Sequence, residues 1–246
     1  MYPYLHIGQL TISCYYLCMA LGFVLMTVLM LLKRRRTLYG LRPAQAILFS
    51  VIVLILGILG CKLLFILENI PWILKNGFTF GGFSFFGAVL LIPLLIPLCT
   101  KPLRLDARAS LDASAVCIVA MLGTIRIGCF LNGCCGGEIF TIGTCDVAFP
   151  TQLIECACDF AILAYLLKKE AKGDCRGALY PRFLILYGVA RFLIEFLRNT
   201  DKDWLYLSHA QWFSIAAVLI GVLCEWRRLR KRTTEPGKTD SEPDRM

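Results

Sequence analysis

The sequence predicts an all-α fold: a polytopic integral membrane protein with about seven transmembrane helices, N-terminus outside and C-terminus cytoplasmic. Three observations predict it. The 246 residues are 58% hydrophobic and only 17% charged, with a mean hydropathy of +0.68, whereas a soluble domain is about half apolar and about a quarter charged. Apolar runs recur that approach the ~20 residues a helix needs to cross hydrocarbon. Basic residues gather just beyond alternate runs, where topogenic charge belongs. The same figures exclude a disordered chain, which needs low hydrophobicity and high charge.

The elements follow in order. Met1 to Leu10 holds no Lys or Arg, so the charged n-region of a cleavable signal is missing. The spans are expected near Leu10–Leu32, Ala46–Leu67, Phe78–Leu98, Ala113–Leu131, Thr151–Leu167, Tyr180–Leu197 and His209–Trp226. The fourth and fifth are the weakest by hydropathy, which leaves a six-span or broken-helix arrangement open. The first connection carries Lys33, Arg34, Arg35, Arg36 and Arg42, and the third carries Lys101, Arg104 and Arg108. The fifth carries Lys168, Lys169, Lys172, Arg176 and Arg182, and further basic residues run from Arg227 to Arg245. Seven spans put 20 of the 26 Lys and Arg on one side, and an even count breaks that pattern. Lys/Arg excess marks the cytoplasmic face. This placement accounts for the net charge of +9 without a nucleic-acid partner. Residues 1–226 read as one membrane domain. Residues 227–246 read as a basic, disordered cytoplasmic tail held near anionic headgroups.

Ionisable residues inside spans are costly and point to function. Arg126 lies in Gly123-Thr-Ile-Arg-Ile-Gly-Cys-Phe-Leu-Asn-Gly-Cys-Cys-Gly-Gly137, toward the outer end of the fourth span. Its glycines permit sharp turns and close backbone approach, and Asn132 offers donors and an acceptor. From this segment alone, a snorkelling interfacial Arg and a functional Arg both stand. Arg191, Glu195 and Arg198 are spaced i, i+4 and i+7, on one helix face. They form either a structural ion pair or, with one arginine in surplus, a phosphate site for a planar guanidinium. Gly81-Gly-Phe-Ser-Phe-Phe-Gly87 either opens a lipid-sized groove or lets two helices pack closely. Cys129, Cys134, Cys135 and Cys145 fall near the outer face. They are buried small residues, or a disulfide such as Cys135 to Cys145, or metal ligands. No His lies nearby and no familiar zinc pattern is completed, so no metal site is assigned. Cysteines inside apolar runs, such as Cys14, Cys18, Cys61 and Cys117, read as small hydrophobes.

These motifs together resemble the prolipoprotein diacylglyceryl transferase family. Arg-Ile-Gly-Cys-Phe-Leu-Asn-Gly, residues 126–133, resembles its signature G-R-x-G-N-F-x-N-x-E-x-x-G. Ile7-Gly and Tyr15 resemble its first span, and residues 81–87 resemble G-G-x-x-F-H-G. Phe149-Pro-Thr-Gln-Leu-Ile-Glu155 resembles H-P-x-Q-L-Y-E. Tyr187 to Arg198 resembles Y-x-x-x-R-F-x-x-E-x-x-R, and Gln211-Trp-Phe-Ser214 resembles G-Q-x-x-S. The departures are specific. The family His is Phe86, its first signature Asn is Cys129, its signature Glu is Cys134, and the Gly before Arg126 is Ile125. The His and Tyr of the fifth-span motif are Phe149 and Ile154, and the Gly before Gln211 is Ala210. This marks a divergent member.

The resemblance implies transfer of the diacylglyceryl group of phosphatidylglycerol to the lipobox cysteine of a prolipoprotein signal peptide, with release of glycerol 1-phosphate, at the outer leaflet of the plasma membrane. It implies no metal or organic cofactor. Catalytic roles fall to Arg126 and Arg191, which hold the phosphate, and to Glu195, which orients an arginine or accepts the proton. Tyr15, Gly87, Asn132, Gln152 and Arg198 are the implied substrate-binding residues, and Glu155 matches the family's Glu. Loss of the His removes the most obvious proton acceptor. The alternatives are a relative that binds phospholipid without transferring it and a small membrane transporter. A transporter places polar groups along its conduction path, whereas a transferase gathers its arginines at one depth.

Overall fold

The computed structural model describes residues 3–7, 10–77, 82–104, 106–142, 145–173, 177–198 and 207–234. Each of the seven predicted segments falls on a helix. These are α1 (Cys14–Leu31), α3 (Pro43–Glu68), α5 (Phe86–Cys99), α6 (Ala107–Asn132), α7 (Thr151–Ala171), α8 (Leu179–Ile194) and α9 (His209–Thr234). Two short helices, α2 (Lys33–Leu38) and α4 (Ile70–Asn76), lie in connections. Among the described residues, four helices are long and apolar enough to cross a membrane: Cys14–Leu31, Pro43–Glu68, Ala107–Asn132 and His209–Arg230. Helix α5 is apolar but short. Helices α7 and α8 carry buried charged groups, Glu155, Asp159 and Arg191 among them.

Three differences from the sequence expectation have plain causes. The described chain is mostly helical, as an all-α fold requires, and adds two short hairpins: β1 (Tyr4–Ile7) pairs antiparallel with β2 (Leu10–Ser13), and β3 (Ile139–Ile142) with β4 (Cys145–Ala148). Strand β2 abuts α1, where a short apolar strand is indistinguishable by hydropathy from the run beside it, and β3 and β4 fall in the connection between the fourth and fifth predicted spans. Helix α5 starts at Phe86 rather than Phe78, and residues 78–81 lie outside the described set. Helix α9 continues through Arg227–Thr234, into the stretch expected to be disordered. Arg, Leu and Lys are good helix formers whatever their hydropathy. Residues 235–246 lie outside the described set.

Helix α6 is the axis of the bundle. It packs on α1, α5, α7 and α8, and Ala113, Ala115, Val116, Val119 and Ala120 are inaccessible to solvent. Asp106 caps its start by accepting from the Arg108 amide at 3.1 Å. Helix α3 pairs with α5 through a glycine crossing. The backbone of Gly60 lies so close to Gly87 that a Cβ on either residue overlaps the other's main chain. The outward faces of the long helices expose Leu21, Val24, Ile55, Leu59, Leu219 and Leu223, the surface expected against lipid.

The basic connections meet at one end of this bundle. Arg35, expected as an exposed topogenic charge, is instead buried on the Glu170 carboxylate, with Nε at 2.9 Å from Oε2. Tyr39 donates to Glu170 Oε1 at 2.8 Å. Asp112, near the start of α6, accepts the amides of Gly177, Leu179 and Tyr180 at 2.7, 2.9 and 3.1 Å. It thus satisfies the free N–H groups at the start of α8. Arg182 reaches Glu225 at 3.5 Å.

Candidate active site

The opposite end holds the charged cluster. Asp112 and Arg126 are fourteen residues apart on α6, so they stand about 21 Å apart along its axis. Arg126 lies about 9 Å below the end of α6, Glu155 about 6 Å below the start of α7, and Arg191 within a turn of the end of α8. The groups therefore share one depth.

Glu155 is the hub. Its Oε1 accepts from Arg191 Nη1 at 2.7 Å, its Oε2 meets Arg126 Nε, and Arg198 Nη1 lies 3.6 Å from Oε1. A second carboxylate, Glu195, lies 2.8 Å from Arg191 Nη2 and 3.9 Å from Arg198 Nε. The sequence offered Glu195 to either arginine, and the structure places it against both. Helix α8 stops at Ile194, and Glu195–Leu197 tighten into a 3-10 turn, so Arg198 is carried on an extended residue rather than on the helix face. Ser208 donates its hydroxyl to Glu195 Oε1 at 2.9 Å. Ser208 and Gln211 also cap the start of α9 reciprocally, through Ser208 N to Gln211 Oε1 at 2.9 Å and Gln211 N to Ser208 Oγ at 3.3 Å.

Three guanidiniums thus face two directly paired carboxylates, almost fully out of water: Arg191 and Glu155 expose only 9% and 5% of their side chains. A narrow cavity between them is lined by Arg126, Glu155, Asp159, Tyr187 and Arg191 and admits about one water-sized body. The Tyr187 hydroxyl is buried there, with no hydrogen-bond partner among the described residues. The chemistry available to such a site is recognition of an oxyanion. A phosphate oxygen takes up guanidinium donors that the carboxylates now occupy, and low dielectric strengthens each contact.

Beside the cluster, the chain after α6 turns back on itself. Gly133 adopts a left-handed φ of 74°. Its amide reaches Phe130 O at 3.2 Å, and the Cys134 amide reaches Cys129 O at 3.1 Å, the paired bonds of a Schellman stop. Cys135 follows with φ 62°, a left-handed conformation uncommon outside glycine. The turn brings the sulfurs of Cys129, Cys134 and Cys135 within 4.8 Å of one another. All three are free thiols, so Cys135 is not in the disulfide offered from the sequence, and the side chain of Cys145 lies outside the described set. A hydrogen bond from Cys129, aided by the charges of Arg198 and Arg126, pulls the Cys135 thiol well below its ordinary range. Gln152 Nε2 donates to Cys134 O at 2.7 Å, and Thr151 Oγ1 donates to Cys135 O at 3.2 Å. Gly137 bridges to Arg198, and the Glu138 amide donates to Leu197 O at 3.1 Å. The cysteine turn is thereby stitched to α7 and to the segment carrying Arg198.

Of the residues singled out from the sequence, the structure brings together Arg126, Arg191, Glu195 and Arg198, with Gln152 at the adjoining turn. Tyr15 packs its backbone on Gly128 of α6 and stands within electrostatic reach of Arg126 and the three thiols. Asn132 is exposed at the end of α6. Gly87 serves the crossing with α3, the close-packing alternative. Phe86, at the place of the family's His, stacks on Phe213 at 5.6 Å and packs on Tyr187 at 6.0 Å. Direct reading of the residues passed over Asp159, Tyr187 and Ser208. It reached Glu155 only through the resemblance. The available signal was Glu155 and Asp159, two acids at i and i+4 inside a predicted span.

Residues 3–227 match the family model of prolipoprotein diacylglyceryl transferase. The chain belongs to that family. A phosphatidylglycerol–prolipoprotein diacylglyceryl transferase of Clostridium tetani is 30% identical over 220 residues, covering 82% of this chain and 88% of the relative. One of Clostridium perfringens, designated transferase 2, is 30% identical over 232 residues, covering 87% and 90%. One of Dehalococcoides mccartyi is 26% identical over 243 residues, covering 92% and 93%. Family membership therefore extends over the same residues that build the bundle and its charged cluster.

Proposed function

We propose that this chain transfers the diacylglyceryl group of phosphatidylglycerol to the cysteine thiol of a prolipoprotein, releasing glycerol 1-phosphate. The observation that carries the reading is the convergence of Arg126, Arg191 and Arg198 on Glu155 at one depth in a lipid-facing bundle. The reaction makes a phosphate monoester from a diester, so charge grows on the leaving group. Preorganised guanidiniums aimed at that charge contribute about 3–4 kcal/mol each to such a barrier. Arg126 and Arg191 hold the phosphate. Glu195, braced by Ser208, keeps Arg191 and Arg198 extended toward it, and Glu155 holds the three guanidiniums together between turnovers. Gln152 fixes the turn that closes the site, Tyr15 and Asn132 border its mouth, and Gly87 lets α5 approach α3. Between Asp112 and Arg126, α6 carries no charged residue, which favours a site at one depth over a conduction path.

The chain crosses the plasma membrane seven times, with the arginine cluster toward the outer leaflet and the basic connections in the cytoplasm. Loops one, three and five meeting at one end of the bundle support this orientation. Residues 1–226 form the membrane domain, and the basic segment beyond lies against anionic headgroups. The test is a transfer assay on purified protein with phosphatidylglycerol and a lipobox peptide. Glycerol phosphate release by the wild type but not by Arg191→Ala is expected. Release retained by a well-folded Arg191→Ala protein removes that arginine from the reaction.

A further inference from the structure

The proposed transfer needs its acceptor as a thiolate, and Phe86, at the place of the family's His, offers no proton acceptor. The nearest unexplained chemistry is the cysteine turn. Its three sulfurs lie within 4.8 Å of one another. Ligands about 2.3 Å from a tetrahedral ion stand roughly 3.8 Å apart, so small side-chain rotations complete the set. The donors are all sulfur, with no carboxylate or imidazole among them, which selects a soft ion over magnesium, calcium or manganese. Cys129 is buried, Cys134 half-buried and Cys135 exposed, so the cluster has a closed side and an open side. Three protein ligands with one open position is the pattern of a working zinc centre, not a structural one. The charge suits the place as well: three thiolates around a dication leave one negative charge beside Arg126 and Arg198.

We propose that Cys129, Cys134 and Cys135 hold a zinc ion whose open position binds and deprotonates the thiol of the incoming prolipoprotein cysteine. This rests on the transfer reading above. A thiol loses its proton to solvent when it coordinates zinc. The sulfur then attacks the glyceryl carbon of the lipid. The bond from that carbon to the phosphate oxygen breaks, and its electron pair leaves on the phosphate held by Arg126 and Arg191. One proton is released overall, nothing is oxidised or reduced, and zinc is retained. The backbone supports the ligand set: Gln152 and Thr151 grip the carbonyls of Cys134 and Cys135, which fixes the turn that aims the thiols together.

The experiment uses the full chain in detergent, reduced, stripped with a chelator and titrated with cobalt(II) as the spectroscopic probe. One cobalt per chain is expected, with a thiolate-to-metal charge-transfer band that zinc bleaches and that Cys135→Ser abolishes while helical circular dichroism is unchanged. Adding a lipobox peptide shifts the band, and the peptide with Ser for Cys does not. Stripped protein loses transfer by about 100-fold, the scale of a lost proton acceptor, and zinc restores it. No band in the reduced protein, or a band insensitive to the peptide thiol, overturns the inference. Full transfer by Cys135→Ser overturns the metal site and leaves the transferase reading standing. A band that shifts with the peptide while no glycerol phosphate is released overturns the transferase reading and leaves the metal site standing.

Discussion

Glu155→Gln isolates the charge at the centre of the cluster with almost no change of shape. Glu155 is 5% exposed and touches three guanidiniums: Arg126, Arg191 at 2.7 Å and Arg198 at 3.6 Å. Removing its charge leaves Glu195 paired with Arg191 and Arg198 and takes away the carboxylate that Arg126 meets. Breaking a buried pair by neutralising one member costs about 3–5 kcal/mol, because the partner's charge stays buried. For a chain of this length each kcal/mol lowers Tm by about 2–4 °C, so the expected fall is about 6–20 °C. The assay is thermal unfolding of the purified variant in detergent, with Arg198→Gln added in the same background. The second substitution removes one surplus charge and should recover part of the loss, with a coupling of about 0.5–3 kcal/mol for groups in one network. A Glu155→Gln protein within about 2 °C of wild type, or a double variant showing no coupling, refutes the reasoning that Glu155 neutralises the cluster.

The remaining predictions concern separate parts of the molecule. Arg191→Ala should lower transfer by about 100- to 1,000-fold. Arg191→Lys should recover only part, since an ammonium cannot bridge Glu155 and Glu195 as the planar fork does; steady-state rates decide. Gly87→Ala forces a Cβ into the backbone of Gly60 and should cost about 1–3 kcal/mol or more, seen as lost folded yield, while Gly57→Ala, with open space around it, should be neutral. Glu170→Gln should destabilise the chain by about 3–5 kcal/mol through Arg35 yet leave transfer per folded molecule unchanged; a selective loss of transfer contradicts the separation of the two ends. In metal-stripped protein, the hydrogen bond from Cys129 and the charges of Arg198 and Arg126 lower the pKa of Cys135. Its alkylation rate should therefore plateau below the ~8.5 of an ordinary thiol, and a rate still climbing through that pH contradicts the contact.

Much of this was legible in the sequence because the membrane makes charge conspicuous. Arg126, Arg191, Glu195 and Arg198 stood out as ionisable groups in apolar runs, and all four converge. The seven apolar segments each became a helix. What was not legible depends on contacts between elements far apart in the chain. Nothing in Lys33–Arg36 distinguishes Arg35 from its neighbours, yet Arg35 alone of the four is buried on Glu170. Glu155 reads as one acid in a weak span until α6 and α8 bring arginines to it. The cysteine spacing satisfied no familiar motif. The left-handed residues at Gly133 and Cys135 that draw the thiols together are a property of the turn, not of the spacing.

The asymmetry between the two ends bears on how a two-chain lipid gains admission. At the basic end, Arg35, Tyr39 and Glu170 tie the first connection to the fifth, and Asp112 holds the start of α8 through main-chain bonds no ligand replaces. At the other end the helices are joined through carboxylates on guanidiniums, contacts for which a phosphate is a direct substitute. On the proposed reading the molecule is a clothes-peg with a fixed spring and exchangeable jaws: headgroup binding would loosen the same bonds that keep the jaws shut, and departure of the product would let them close again.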